Sequence, residues 1–180
     1  MRILALDLAS RTGIATGIVH ETPVLSFVDF AQPGDGPHQT FARAAKWMTT
    51  WLDERPPDIL VAEAPVPKFD KSVQQGIRGI VLGLAACRPG IRIIEVEVQT
   101  WRKYVLGFGN HPGKIAKARC VELCQRMGWT LPIGGKRTGL PDHNAAEAAG
   151  LFLWACARVD PRGALRHEPL FVSKGVCGVA

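Results

Sequence analysis

Three acidic residues stand where a folded chain could bring them together. Asp7 closes the apolar run Ile3-Leu4-Ala5-Leu6, Glu63 closes Ile59-Leu60-Val61-Ala62, and Glu147 lies near the start of an Ala-rich segment. In α/β folds the carboxyl ends of parallel strands are where sites are built. If the two runs are neighbouring parallel strands, Asp7 and Glu63 converge, and a helix laid against the same end of the sheet delivers Glu147. Carboxylates at close range repel, and a bound divalent cation is the usual compensation. An all-oxygen ligand set with positions left for water and phosphate suits Mg²⁺ or Mn²⁺. Taken singly, each acid also has an ordinary reading: Asp7 capping a turn with Ser10, Glu63 as a solvated strand end, Glu147 as a surface helix residue. The three together are more specific than any one.

The elements that must position these acids can be read from periodicity. Residues 3–8, 13–19 and 24–30 read as strands separated by short turn segments. A parallel crossover needs about a dozen residues or more, so these three form an antiparallel meander. Phe41, Ala44, Ala45, Met48, Trp51 and Leu52 recur at helical spacing over 38–52, and Arg55-Pro56-Pro57 stops that helix. The wholly apolar run 59–62 then reads as a strand buried on both faces, parallel to the first. A helix over 73–86, a fifth strand over 91–98, a helix over 114–127 and a helix over 142–157 complete the order. The expected fold class is α/β: a five-stranded mixed sheet, a three-stranded meander followed by two parallel strands, flanked by helices. Residues 158–180, with Pro161, Gly163, Pro169, Gly175 and Gly178, read as a C-terminal tail in which Leu170-Phe171-Val172 could dock.

Composition narrows the class further. With 180 residues, 47% hydrophobic and 21% charged, the chain fits one domain and is too apolar for a disordered protein. No apolar run approaches the roughly 18 residues of a membrane span, and the short apolar start ends in Asp7 rather than a cleavage site, so a cytoplasmic protein is expected. The five cysteines include no C-x-x-C pair, which argues against a zinc knuckle or a disulfide framework. The net charge of +6 favours a polyanionic partner, and nearly all of it is local. Between 99 and 126, Arg102, Lys103, Lys114, Lys117, Arg119 and Arg126 face only Glu122. Such a stretch beside a phosphate-cutting site would bind a nucleic-acid backbone with strong salt dependence. A solvated basic helix face is the plainer alternative.

In four stretches the sequence resembles the RuvC-type Holliday junction resolvases of the ribonuclease H-like nuclease superfamily. The first is Ile3-Leu-Ala-Leu-Asp7-Leu-Ala-Ser10-Arg-Thr-Gly13, similar to that family's first strand, acid and following turn. The second is Val61-Ala-Glu63 with Gln75-Gly-Ile-Arg78-Gly79 behind it. The third is Val105-Leu-Gly107-Phe-Gly109-Asn110 leading into Lys114, and the fourth is Asp142-His143-Asn144-Ala-Ala-Glu147-Ala148. Order and spacing agree across 1–157, which the resemblance marks as the nuclease domain. Two departures stand out. Leu8-Ala9 replaces a common Pro-Gly, and Asn144 and Glu147 occupy the two positions of the last helix where the family carries acids or a histidine. On an ideal helix His143 lies about 40° and Asn144 about 60° from Glu147. Asp142 suits an N-cap but could bend toward a metal. Asn144, His143 and Asp142 are therefore equal candidates for a fourth ligand beside Asp7, Glu63 and Glu147.

The resemblance implies hydrolysis of DNA phosphodiesters at four-way junctions by two Mg²⁺ ions, which Mn²⁺ could replace, with Asp7 bridging both. It also implies a homodimer cutting symmetric strands, in a bacterial or phage setting. By family position Lys114 or Lys117 stabilises the phosphate, and Lys114, at the loop–helix junction, is preferred. An aromatic in the loop after the second acid enters the junction in that family, a role carried here to Phe69. With Phe69, the expected DNA contacts are Lys71, Arg78, Arg102, Lys103, Lys114, Lys117 and Arg119. Gly76, Gly79 and Gly83 could serve either a dimer interface or close packing within one subunit. Three other functions compete: a nuclease of related fold acting on structured RNA, a non-catalytic junction-binding relative, and an actin-like ATPase. The ATPase usually needs two such domains, and this chain supplies one.

Overall fold

The computed structural model describes residues 1–65, 72–110, 112–134 and 139–163. Its elements are β1 (Arg2–Asp7), β2 (Arg11–Ile18), β3 (Val24–Asp29), α1 (Pro37–Glu54), β4 (Ile59–Glu63), α2 (Ser72–Ala86), β5 (Arg92–Val96), α3 (Val98–Leu106), α4 (Gly113–Arg126) and α5 (His143–Val159). The strands form one sheet in the order β3-β2-β1-β4-β5. β1 pairs antiparallel with β2 and parallel with β4, β2 pairs antiparallel with β3, and β4 pairs parallel with β5. This is the mixed sheet expected from the connection lengths. Strand β1 lies at its centre, and Ile3 to Leu6 are wholly buried.

Alternation along the strands divides the molecule into two cores. Ile3, Ala5, Ile59 and Val61 face α3, α4 and α5, whereas Leu4, Leu6, Leu60 and Ala62 face α1 and α2. Successive side chains of a strand point to opposite faces. The odd-numbered ends of β1 and β4, Asp7 and Glu63, therefore belong to the α5 face.

Helix α5 is buried on nearly every side, from Asn144 through Leu153. Its alanines let it lie between the sheet and α3 and α4, as an all-round apolar helix must. Asp142 caps it, accepting from the backbone N–H groups of Asn144 and Ala145 at 2.9 Å each. Gly13 permits the close approach of β2: a Cβ there would stand 1.9 Å from the Asn144 carbonyl oxygen.

Helix α3 is a correction to the sequence reading, which ran the fifth strand to residue 98 and left 99–113 unassigned. The strand stops at Val96, and a nine-residue helix follows, closed by Gly107 in the left-handed region at φ 79°. Helix α5 runs to Val159, and residues 164–180, most of the expected tail, lie outside the described residues. Cys120, Cys124 and Cys156 are free thiols packed in the core. Among the described residues no helix is long and apolar enough to cross a membrane.

Candidate active site

The register of the sheet sets the first two acids side by side. Leu6 pairs with Ala62 in the parallel β1–β4 ladder, so Asp7 and Glu63 occupy the next step on neighbouring strands. Parallel strands lie roughly 4.8 Å apart, and both side chains project to the α5 face. Glu147, one turn into α5, enters from above. Burial raises the Asp7 carboxyl well above its ordinary value, and the charges of Glu147 and then Glu63 push it further; Lys117 and Arg102 oppose them. Glu63 is raised by burial and by Glu147, with the Trp101 hydrogen bond, Arg102 and Arg78 pulling the other way. The three acids therefore share one electrostatic site.

Each glutamate has a specific partner. The Trp101 indole Nε1–H donates to Glu63 Oε1 at 2.9 Å. Trp101 is wholly buried, and its ring lies on Gly150 of α5, where a Cβ would stand 2.6 Å from Cζ3. Arg102 Nη2 donates to Glu147 Oε1 at 2.5 Å, with the two side chains 13% and 5% exposed. Lys117 Nζ stands 3.9 Å from Glu147 Oε2. Arg78 donates to the Glu63 backbone carbonyl and to the Glu95 carboxylate, fixing the end of β4 from the α2 side. Sequence reasoning missed Trp101 altogether. Its signal was available: Trp101 and Val105 are four apart before Gly107, the pattern of a short helix with one buried face.

The remaining expected residues fall in different places. Lys114 is exposed in the first turn of α4, and Lys117, one turn later, is the lysine beside the acids. Arg102, expected on the DNA surface, is turned inward to Glu147. Lys103 is exposed and Arg119 is partly buried. Of the fourth-ligand candidates, Asp142 is occupied in capping α5 and stands 3.6 Å from Arg11. His143 is exposed, while Asn144 is buried and donates its side-chain amide to the Arg11 carbonyl at 3.1 Å. Phe69 and Lys71 lie outside the described residues.

The donor chemistry suits a hard divalent cation. Asp7, Glu63 and Glu147 offer only oxygen, and their mutual repulsion in a buried site is the imbalance such an ion offsets. In the present arrangement, among the described residues, no three acid, histidine or cysteine side chains converge tightly enough to hold an ion. Trp101 takes only Oε1 of Glu63, whereas both oxygens of Glu147 face cations, Oε1 on Arg102 and Oε2 toward Lys117, so ligation requires Glu147 to exchange a partner.

No protein-family model and no curated protein sequence matches the chain. Solved structures do. The chain is similar to Thermus thermophilus RuvC at 16% identity with a TM-score of 0.64, covering 88% of this chain and 96% of that one. It is similar to the fowlpox virus resolvase in complex with Holliday junction DNA at 15% identity and a TM-score of 0.58, covering 88% and 99%. The yeast mitochondrial Holliday junction resolvase matches at 9% identity and 0.59, covering 83% and 76%. The strand order, the meander followed by two parallel strands and the helices packed on both faces give this chain the ribonuclease H-like fold of the RuvC-type Holliday junction resolvases.

Proposed function

We propose that this protein is a divalent-metal-dependent, structure-selective endonuclease that hydrolyses DNA phosphodiesters at four-way junctions as a homodimer. The observation that carries the reading is the meeting of Asp7, Glu63 and Glu147 on one face of a fold shared with junction resolvases. Asp7, Glu63 and Glu147 would hold two Mg²⁺ or Mn²⁺ ions, with Asn144 the favoured fourth ligand because it is buried three residues before Glu147 on α5. Such ions lower the pKa of an attacking water and offset charge on the leaving oxygen. The chain's own residues do the rest. Lys117, beside Glu147, is placed to meet a phosphate oxygen at the acids. Lys103 and Lys114, exposed on α3 and α4, would hold flanking phosphates, and Phe69 would stack on bases at the crossover. The outer face of α2 supports the dimer: among the described residues a Cβ on Gly79 or Gly83 would meet nothing within 4 Å, whereas one on Gly76 would run into Phe41 of the same subunit.

The test is cleavage of a labelled four-way junction with Mg²⁺, beside duplex, flap and structured RNA, with Asp7→Asn as control and light scattering for mass. Paired symmetric nicks confined to the junction, absent in Asp7→Asn, are expected from a dimer. Preferential cutting of RNA would move the substrate to structured RNA. Junction binding without metal-dependent cutting would leave a non-catalytic relative.

A further inference from the structure

The Arg102–Glu147 pair is unusual for a buried ion pair. Arginine matches a carboxylate through two parallel N–H bonds, and a buried pair is favourable only when the remaining donors are satisfied. Here Glu147 takes one guanidinium nitrogen, and Arg102 Nε is buried with no hydrogen-bond partner among the described residues. One donor of the fork is left over. The guanidinium also sits 5.3 Å from the Trp101 ring, midway along a helix whose next residue, Lys103, is exposed.

Charge counting gives this geometry a direction. Among the described residues, with every acid ionised, three carboxylates face Arg102 and Lys117, while the charge of Arg78 is taken up by Glu95, which leaves one negative charge uncompensated. Entry of one divalent ion converts that deficit into an excess of one positive charge, which a single phosphodiester neutralises. The ion also needs the Glu147 oxygen that Arg102 now holds. A guanidinium released from Glu147 would have both Nε and Nη2 free for a phosphate, the geometry in which arginine binds that group best.

We propose that Arg102 is an exchangeable counter-ion: it holds Glu147 in the metal-free protein and passes to a DNA phosphate when a divalent ion takes Glu147, so that metal and DNA bind cooperatively. The inference rests on the acid cluster being a metal site, and it concerns how that site is loaded. By linkage, DNA then tightens metal binding by the same factor as metal tightens DNA binding.

The test counts bound Mn²⁺ by the loss of free-ion EPR signal, in protein alone and with a four-way junction carrying hydrolysis-resistant phosphorothioate linkages. In the wild-type protein the junction is expected to lower the Mn²⁺ Kd by about tenfold, within the usual range of coupling between sites. Arg102→Met is expected to bind Mn²⁺ about tenfold tighter without DNA and to lose the coupling. Arg102→Lys keeps a cation on Glu147 but has no fork, so it should bind Mn²⁺ as wild type does while its coupling falls. If Arg102→Met binds Mn²⁺ no tighter than wild type, Arg102 is a fixed partner and the inference is overturned. If that variant does not fold, undiminished coupling in Arg102→Lys overturns it equally. Mn²⁺ binding with coupling but no cleavage of any substrate would sink the endonuclease reading alone. Junction cleavage without coupling would sink this inference alone, and absence of Mn²⁺ binding by the wild-type protein would sink both.

Discussion

Gly13→Ala tests the closest contact that builds the site. The added Cβ would stand 1.9 Å from the Asn144 carbonyl oxygen, 2.1 Å from its carbon and 2.7 Å from the Ala145 nitrogen. Non-bonded heavy atoms settle at about 3.5–4.0 Å, so β2 and the first turn of α5 must separate by roughly 1.5 Å. The obstacles are backbone atoms, which no rotamer change relieves. Overpacking typically costs about 1–3 kcal/mol, and a backbone-on-backbone clash belongs at or beyond the upper end. Against a total stability of about 5–15 kcal/mol that is a large fraction. The comparison is Gly113→Ala at the start of α4, where nothing among the described residues lies within 4 Å. Within a helix that change should stabilise by about 0.5–1 kcal/mol. Urea unfolding of both variants, with equal m-values, gives the two signs directly. Gly13→Ala also moves Glu147 relative to Asp7, and a displacement of about 1 Å can cost roughly a hundredfold in rate. Its junction cleavage should therefore fall further than its folded fraction. A Gly13→Ala protein within about 0.5 kcal/mol of wild type would refute the claim that this approach fixes the site.

Three further outcomes are expected. Burial and neighbouring acids raise Asp7 and Glu63, so their contribution to stability is present at low pH and lost as pH rises through their folded values. Metal-free protein should therefore be more stable in mild acid than at neutrality, and Asp7→Asn should raise its melting temperature at pH 7; a lowered melting temperature in Asp7→Asn would contradict this. Lys117→Met should reduce junction cleavage about a hundredfold at saturating DNA, whereas Lys114→Met should mainly weaken binding and lower its salt dependence; equal effects on turnover would undo the distinction between them. Trp101→Phe removes the donor to Glu63 and should weaken Mn²⁺ binding about tenfold, as loss of a ligand-orienting hydrogen bond does; unchanged Mn²⁺ affinity would assign Trp101 to packing alone.

The sheet was legible because its evidence is local. Connections too short for a crossover forced the meander, and the apolar run 59–62 ending in Glu63 marked a buried parallel strand beside β1. The same logic located the acids, since a strand's last residue falls at the edge of the sheet whatever packs above it. The N-cap role of Asp142 followed from its residue type and position. What surrounds the acids was not legible. Helix α3 has nine residues, only three of them buried, and it begins at a valine that prolongs the strand pattern of β5. Without α3, Arg102 is one basic residue among six and Trp101 is simply an aromatic. Its pairing with Glu63, like the position of Lys117 beside Glu147, depends on how α3, α4 and α5 pack against one another, and no single segment encodes that.

The separation of two cores by the sheet also partitions what the chain can tolerate. Met48, Leu52, Ile77 and Val81 contribute to the core on the face of the sheet opposite the acids, so conservative exchanges there are paid in stability first. On the other face Ala146, Ala148, Ala149 and Leu151 share their helix with Glu147, and any change of volume displaces a charged group as well as a packed one. Arg78 is the bridge between the halves, rooted in α2 yet holding the end of β4. A library randomised in the α1–α2 core should therefore yield folded variants that keep their chemistry, while the same diversity beneath α5 should yield many that fold and do nothing.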